Sequence, residues 1–343
     1  MVNIEIELLY IIFSIVLNFI LFKNNNIVAK KLNLYDVPDS KRKLHKYGTP
    51  LNGGIFYFFN LLVIFIFDIF FNNLALTNFL GIENESEAVI VLFILFLILL
   101  IGIIDDKVSL KPLTKSLLSL IIFSMFLFIR PEYQINFFRF ETFNFVVDIL
   151  KLSLTFTVLS FLILQIALNM YDGIDLQSAT YYSVILVYLL ILNENHNFLI
   201  FCILTLINLS FFIINNYQKK TFLGDNGVYI FSFVLSILII QTYKNNYGSF
   251  FVENIFIILF LPVVDMIRMF FIRLLKNKNP LKPDRRHMHH ILLKKYGLIK
   301  TNILLITPLI FSVILLNFAN MHTIIVIILN FIFYLSLLNI IKK

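Results

Sequence analysis

Long apolar runs dominate the chain, and short polar connections separate them. A helix that crosses about 30 Å of hydrocarbon needs about 20 mostly apolar residues, and on this measure the sequence predicts about eleven transmembrane helices. We therefore expect an all-α, polytopic integral membrane protein. The predicted segments are 5–23, 53–71, 87–104, 112–129, 149–168, 178–193, 197–214, 227–242, 251–269, 301–318 and 322–341.

The composition agrees with a membrane protein and excludes other classes. Hydrophobic residues make up 59% of the 343 and charged residues only 14%, whereas about a quarter of a soluble domain is charged. Intrinsic disorder is excluded because it requires low hydrophobicity. The one cysteine, Cys202, excludes a disulfide framework and a cysteine-based zinc site. We expect residues 1–343 to form a single integral membrane domain.

The basic residues predict the orientation. Of the 28 Lys and Arg residues, all but Arg130, Arg139, Lys151 and Lys244 fall in connections on the same predicted side. Cytoplasmic loops carry the excess of Lys and Arg in membrane proteins. The sequence therefore predicts an outside N-terminus and a cytoplasmic C-terminus. The net charge of +8 is explained by topology, so we expect the lipid bilayer and no nucleic acid as a partner.

Five polar clusters lie at the predicted cytoplasmic ends of these segments. A charge at mid-helix costs roughly 2.5–3.5 kcal/mol on insertion scales, so ionisable groups near spans are candidates for function. Two other polar positions are given structural roles. Asp265 and Arg268 have the spacing of a pair on one helix face, and Asp68 is expected at the outer boundary of its span.

The first two clusters follow the first and third segments. Lys43 and His45 lie in a basic loop before Gly53-Gly54, which is either a topology signal or a site that holds phosphates. Asp105 and Asp106 end the third segment, followed by Lys115. Paired carboxylates at a helix end are either solvated or suited to Mg²⁺, which takes one or two carboxylates with phosphate oxygens.

The next two clusters combine acidic residues with glycine. Asn169, Asp172 and Asp175 surround a turn sequence after the fifth segment, and their side chains also supply hydrogen-bond acceptors for a base or a sugar. Phe222 and Asp225 precede the eighth segment, where the adjacent glycines allow close approach to a ligand. Asp225 is a candidate metal ligand, and Phe222 is a candidate for stacking on a base.

The fifth cluster is Arg286-His287-Met288-His289-His290. The three histidines are too close in sequence to converge easily on one zinc ion. Their basic neighbours favour phosphate binding, whereas a solvated basic loop would leave the clustering of histidine unexplained.

In this order along the chain, the five clusters resemble the polyprenyl-phosphate N-acetylhexosamine-1-phosphate transferases of glycosyltransferase family 4. The resemblance runs from about residue 30 to about residue 295, and its most specific part is Pro262-Val-Val-Asp265 through His290. It is closest to the branch that loads UDP-N-acetylglucosamine-type sugars onto undecaprenyl phosphate. The phospho-MurNAc-pentapeptide transferase branch tends to have three contiguous histidines, whereas Met288 interrupts them here.

The resemblance implies a role for each cluster. Asp105 and Asp106 would be catalytic and lie next to the lipid phosphate. Asp225 and Asn169 would hold Mg²⁺, with Mn²⁺ as a substitute. The implied substrate-binding residues are Asp172, Asp175, Phe222, Lys43, His45, Lys115, Arg286, His287, His289 and His290. The substrates would be a UDP-N-acetylhexosamine and a polyprenyl phosphate, in a bacterial inner membrane with the active site on the cytoplasmic face and a homodimer as a possible assembly.

Two points remain open at this stage. The family usually has Gly-Leu after the last aspartate of the third cluster, whereas Leu176-Gln177 follows Asp175 here, which puts the shape of that pocket in doubt. The alternatives to the proposed transfer are the phospho-MurNAc-pentapeptide reaction and a secondary transporter. Transporters usually place ionisable residues near the bilayer midplane, often within inverted repeats, and neither feature is evident here.

Overall fold

The computed structural model describes residues 4–37, 48–70, 85–277 and 286–342. Within them the chain forms fourteen α-helices. These are α1 Ile4–Lys23, α2 Asn25–Leu32, α3 Gly53–Phe70, α4 Glu85–Val108, α5 Pro112–Ile129, α6 Ser153–Tyr171, α7 Gln177–Leu192, α8 His196–Tyr217, α9 Gly224–Asn245, α10 Val252–Ile258, α11 Phe260–Leu275, α12 Met288–Tyr296, α13 Leu298–Asn317 and α14 Thr323–Lys342.

All eleven predicted apolar segments coincide with helices. In the described part of the chain, seven helices are long and apolar enough to cross a membrane, or up to nine when each bent pair is one span. The bent pairs are α1 with α2 (62°) and α10 with α11 (75°). Helices α3 and α7 are shorter apolar helices. The chain is therefore a mostly helical, polytopic membrane protein, while the count of eleven spans and the orientation of the termini stay predictions.

Two short antiparallel hairpins depart from an all-α chain. Strands β1 (Tyr35–Asp36) and β2 (Thr49–Pro50) pair with each other, as do β3 (Phe137–Phe140) and β4 (Phe145–Asp148). Aromatic and β-branched residues favour strands, and they fill β3 and β4. These short elements lie in connections, where a search for apolar segments of helical length does not detect them.

The chain forms two compact units. Unit 1 comprises residues 1–122 and 190–234, and unit 2 comprises residues 123–189 and 235–343. This division does not test whether the whole chain acts as one membrane domain, so that expectation stays a prediction.

In unit 1, α1 packs against α3 and α8 through a seam of buried amides. Asn18 and Asn60 exchange hydrogen bonds through their side chains, and Asn208 Nδ2 donates to Asn18 Oδ1 at 2.8 Å. Hydrogen bonds between polar side chains commonly join helices in membranes. These amides therefore fix how the three helices pack around the polar groups of unit 1.

Asp68 belongs to the same packing. It is fully buried, and Tyr10 Oη donates to Asp68 Oδ1 at 2.7 Å. Its position at the outer boundary of the span stays a prediction. A buried carboxylate is tolerated only when it has partners.

In unit 2, α11 packs against α6, and α12 and α13 pack against each other. This packing brings the loop after α6 next to the start of α12, although more than 100 residues separate them in sequence.

Candidate active site

Asp105 lies near the end of α4 and has a partner at each carboxylate oxygen. Its Oδ1 accepts from the Leu110 backbone N–H at 2.8 Å. Its Oδ2 accepts from Lys115 Nζ at 2.8 Å and from Tyr229 Oη at 2.7 Å. The Asp105 carboxylate is almost completely buried, whereas the Lys115 side chain is partly exposed. Asp105 thereby fixes the position of the Lys115 ammonium.

Asp106, the next residue, holds the beginning of α9. Its Oδ1 accepts from the Asp225 backbone N–H at 2.8 Å and its Oδ2 from the Asn226 backbone N–H at 3.1 Å. The first N–H groups of a helix have no partner within the helix, and an acidic side chain there is favourable. Asp106 therefore caps α9 from another helix and positions Asp225.

Asn226 joins three chain segments of unit 1. Its side chain accepts from the Gly54 backbone N–H at 2.9 Å, and it donates to Leu51 O at 2.9 Å and to Asp106. Gly102 makes this approach possible, because a Cβ there would lie 2.2 Å from Asn226 Cα. A larger residue at 102 would force α4 and α9 apart.

Asp225 brings a third carboxylate into this group. It interacts electrostatically with Asp105, Asp106 and Lys115. We call Asp105, Asp106, Lys115, Asp225 and Tyr229 the carboxylate cluster. Three carboxylates and one ammonium leave a formal excess of two negative charges, which favours a divalent cation.

Phe222 lies in the segment before α9 and is half-buried. Its backbone N–H donates to Pro50 O at 2.8 Å, which ties the segment to the β1–β2 hairpin. That hairpin also fixes both ends of the loop between its strands. Lys43 and His45, which belong to this loop, lie outside the described residues.

In unit 2, the loop after α6 carries the third predicted cluster. Asn169 is in the last turn of α6, and Asp172 ends the helix with its N–H on Leu168 O. Asp175 O accepts from Asn302 Nδ2 at 3.0 Å, which joins the loop to α13. The side chains of Asn169, Asp172 and Asp175 are all half-buried.

Leu176 explains how this loop turns without the family's usual glycine. Its φ is +70°, a left-handed conformation that costs a non-glycine residue roughly 1–2 kcal/mol. The backbone thus retains a conformation that favours glycine, although the sequence has lost that residue.

His287 lies directly before α12 and uses both of its ring nitrogens within the protein. Its Nδ1 is 2.8 Å from Asp265 Oδ2, and its Nε2 is 3.2 Å from Arg273 Nη2. Because the guanidinium can only donate, Nε2 accepts and Nδ1 carries the proton that it donates to Asp265. This arrangement favours a positioning role for His287 over direct phosphate binding.

Asp265 also pairs with Arg268, whose Nη2 donates to Asp265 Oδ1 at 2.6 Å. The sequence predicted this pair. The contact between Asp265 and His287 was not predicted, because 22 residues separate them in sequence.

His289 packs directly against the loop after α6. A Cβ at Gly173 would lie 1.9 Å from His289 Nε2, so a larger residue at 173 would require the His289 ring or the loop to move. That nitrogen is buried, and no described group hydrogen-bonds to it. Burial, with His290 and His287 nearby, lowers the pKa of His289 well below its usual range and keeps the ring neutral. We call Gly173, Asp265, Arg273, His287 and His289 the histidine cluster.

Arg286 and His290 of the fifth predicted cluster lie beside the histidine cluster. The His290 ring centroid is 4.3 Å from that of His289. Arg286 is half-buried, and its backbone carbonyl accepts from Arg268 Nη2 at 3.2 Å.

Within each unit, some of the predicted residues are neighbours. Asp105, Asp106, Lys115 and Asp225 come together in unit 1, and Gly173 with His289 in unit 2. Tyr229 and Asn226 were missed. A signal for Tyr229 exists, since it follows Asp225 by four residues and shares its helix face. The catalytic and binding roles of these residues stay predictions.

The donor groups present determine which kind of metal binding fits this chain. Among the described residues, no three His, Cys, Asp or Glu side chains are arranged to hold a metal ion by themselves. Mg²⁺ normally keeps waters and takes one or two carboxylates with substrate phosphates. The carboxylate cluster, with its excess negative charge, fits that kind of binding.

The sequence matches a known family across the helices that build this site. Residues 88–243 match the model of glycosyl transferase family 4. The matched stretch contains Asp105, Asp106, Asp172 and Asp225, whereas the histidines at 287–290 lie beyond it.

Curated relatives in this family extend the similarity. One is named undecaprenyl-phosphate alpha-N-acetylglucosaminyl 1-phosphate transferase, from Pasteurella multocida, and is 26% identical over 78% of this chain and 73% of its own length. A relative of the same name from Thermotoga maritima is 24% identical, covering 85% of this chain and 84% of its own length. A phospho-N-acetylmuramoyl-pentapeptide-transferase from Thermotoga petrophila is 31% identical over 58% of this chain and 62% of its own length.

Proposed function

We propose that this protein is a transferase that moves an N-acetylhexosamine 1-phosphate from a UDP-sugar to undecaprenyl phosphate. An oxygen of the lipid phosphate bonds to the phosphorus that carries the sugar. The bond from that phosphorus to the bridging oxygen breaks, and UMP leaves. The products are undecaprenyl-diphosphate-sugar and UMP.

The observation that carries the proposal is the ion pair between buried Asp105 and partly exposed Lys115, beside Asp106 and Asp225. Phosphoryl transfer depends mainly on positioning and on stabilising charge. Lys115 is held in place before any substrate binds, so its ammonium is available to a phosphate without a search through rotamers. The relatives from Pasteurella multocida and Thermotoga maritima support this choice of reaction by name.

Charge explains why such a site is needed. Both substrates are anions, and two unit charges about 4 Å apart repel by roughly 4 kcal/mol at an effective dielectric of 20. That repulsion alone would slow the reaction about a thousandfold, since 1.36 kcal/mol corresponds to a tenfold change in rate. Lys115 in unit 1 and Arg286 in unit 2 are the described cations that we assign to the phosphates.

A divalent cation completes the charge balance. We propose that Asp225 holds Mg²⁺, or Mn²⁺ in its place. Asn169 as a second ligand stays a prediction from the sequence. Such a cation would neutralise charge on the pyrophosphate. Asp106 does not need to bind it directly, because both of its oxygens already hold the start of α9.

The nucleotide-sugar is assigned to the remaining residues. Asp172 and Asp175 supply acceptors for the nucleotide, and Phe222 stacks on uracil. Lys43, His45, His289 and His290 contact the phosphates or the sugar, and His287 orients this segment.

The test is release of UMP from UDP-N-acetylglucosamine by purified protein in detergent, with and without added undecaprenyl phosphate. We expect release that depends on the lipid, is lost in EDTA, and returns with Mg²⁺ or Mn²⁺. Asp225→Asn should abolish it, whereas Glu194→Gln, the matching change at an exposed carboxylate of unit 1, should not. Full activity in EDTA would overturn the metal assignment, and full activity of Asp225→Asn would remove this residue from the site.

The runner-up reaction is transfer of a phospho-MurNAc-pentapeptide to the same lipid. The relative from Thermotoga petrophila favours it, whereas Met288 between the histidines favours the first proposal. Assaying UDP-N-acetylglucosamine and UDP-MurNAc-pentapeptide in parallel separates the two. Uptake of a solute without UMP release would instead indicate a transporter.

The setting of the reaction is part of the proposal. We place the protein in a bacterial inner membrane with its active site on the cytoplasmic face, as the distribution of Lys and Arg predicts. There the phosphate of a membrane lipid meets a soluble nucleotide. A homodimer stays a prediction that measurement of the mass in detergent would test.

A further inference from the structure

The β3–β4 hairpin of unit 2 has two unlike faces. Successive strand residues point to opposite sides, and directly paired residues share a side. One face carries Phe138 with Val147 and Phe140 with Phe145, according to the strand register. The opposite face carries Phe137 with Asp148 and Arg139 with Val146. The first face is therefore entirely apolar.

The opposite face is fastened to the end of α9. The Arg139 guanidinium is buried between the rings of Tyr243 and Tyr247, at 4.4 and 4.2 Å from their centroids. It also donates to the Tyr243 carbonyl, and the Arg139 backbone N–H donates to Tyr243 Oη at 2.6 Å. These contacts fix which side of the hairpin faces the protein.

The apolar face stays open in the structure. Phe145 is 45% exposed, Val147 is 37% exposed, and Phe143 at the turn is 74% exposed. Apolar surface in water is unfavourable by about 25 cal/mol per Å². A contiguous exposed apolar patch of this kind indicates a surface that contacts a partner or a membrane.

This face is continuous with the exposed side of α6, a candidate membrane span. Phe138 packs edge-on against Phe156 with 4.7 Å between ring centroids. Phe156, Leu159 and Ile163 follow one another at helical spacing and are all exposed. On a helix that crosses a membrane, such a stripe is covered by lipid. The hairpin therefore extends a lipid-covered surface beyond the end of the helix.

The turn between β4 and α6 has the composition of a membrane boundary. Leu150 and Leu152 are exposed, and Lys151 between them is exposed as well. A lysine at such a position extends its ammonium toward the headgroups while its stem stays on apolar surface. Aromatic residues are also enriched at this level of a bilayer.

We propose that the β3–β4 hairpin is an interfacial anchor, with its Phe138, Phe140, Phe145 and Val147 face buried at the boundary between lipid headgroups and acyl chains. The occupant of this surface is the bilayer itself. The proposal rests on α6 being a membrane span and is independent of the transfer reaction.

The absence of tryptophan from the chain allows a direct test. Phe145→Trp and Val146→Trp each place a single fluorophore on neighbouring residues of opposite faces, and the native side chains are 45% and 47% exposed. The variants are reconstituted in phosphatidylcholine vesicles, with lipids brominated at successive acyl positions or with iodide in the buffer. Phe143→Trp, at the exposed turn, is a second probe that disturbs little packing.

We expect bromine near the headgroup end of the acyl chain to quench Phe145→Trp and Phe143→Trp at least twofold more than Val146→Trp. Iodide should show the reverse order. Strong quenching of Phe145→Trp by iodide would overturn the proposal, because the face would then be in water. Protection of Phe145→Trp from both quenchers would also overturn it, since the face would then be covered by protein, such as a second copy.

Discussion

The carboxylate cluster and the histidine cluster differ in their balance of charge. The carboxylate cluster holds three carboxylates against one ammonium, and we propose that it receives a cation. In the histidine cluster, Asp265 is paired with Arg268, and His287 links it to Arg273. His289 beside them is neutral. The second cluster therefore favours anions or uncharged hydrogen-bonding groups.

The two clusters also differ in what holds them. The acidic groups of unit 1 are fixed by helix ends, since Asp106 caps α9. The imidazoles of unit 2 are fixed by side chains and by a close backbone contact at Gly173. Substitutions in the first cluster should therefore act mainly on reaction rate, and those in the second on stability and shape.

The sharpest test of this contrast is Asp105→Asn. The amide cannot hold Lys115 as an ion pair, so we expect UMP release to fall about a thousandfold, the factor that corresponds to roughly 4 kcal/mol. The melting temperature in detergent should change little. Glu194→Gln serves as the control with an exposed carboxylate. Wild-type turnover in Asp105→Asn would show that this pair has no part in the chemistry.

Asp265→Asn should act in the opposite way. It leaves Arg268 and His287 without their carboxylate, and breaking a buried ion pair costs about 3 kcal/mol or more. We expect a clear drop in melting temperature. Asp148→Asn makes the same change at an exposed position of β4 and should leave the melting temperature unchanged. Equal melting curves for the two variants would contradict the positioning role of Asp265.

Gly173→Ala tests the contact between the α6 loop and His289. The new methyl would lie 1.9 Å from His289 Nε2, so the ring or the loop must move, and we expect roughly a tenfold loss of UMP release because misplacement of about 1 Å is costly in catalysis. Gly248→Ala is the matched control, since a Cβ there meets no atom within 4 Å. The double variant Gly173→Ala/His289→Ala should melt at a higher temperature than Gly173→Ala. An equal or lower melting temperature would place the clash elsewhere.

The smallest effect concerns pH. His289 has its pKa lowered by burial, with His290 and His287 next to it and Asp265 and Arg268 also acting on it. Its contribution to stability is complete above about pH 6.5, the unfolded value, and falls as pH decreases toward the folded value. Because a single group takes up at most one extra proton on unfolding, the free energy of unfolding falls by at most about 1.4 kcal/mol per pH unit. Melting temperature measured from pH 7.5 to 5 should fall more in the wild type than in His289→Gln. Parallel curves would show that His289 is not the group responsible.

Local signals in the sequence account for part of the fold. Apolar runs of helical length predicted eleven segments, and all eleven coincide with helices, because burial in lipid requires such runs. The broken helix at α10 and α11 was not evident, since its two halves read as one apolar segment. The β3–β4 hairpin was missed because it is shorter than any span.

The candidate site divides in the same way. Asp105, Asp106 and Asp225 were identified from the sequence because a charged group near a membrane span is energetically costly and is therefore a candidate for function. Tyr229 and Asp265 were not assigned to it, since a tyrosine or an ion pair in an apolar helix has a structural explanation. Their roles depend on partners more than 20 residues away.

By itself the sequence determined the membrane class, the helical segments and the residue types from which a phosphotransfer site is made. All of these follow from the cost of placing polar groups in lipid. Only the tertiary structure decided that Asp106 holds the start of α9, that His287 donates to Asp265, and that Gly173 makes room for His289. Those facts are distances between residues remote in the chain, and packing alone fixes them.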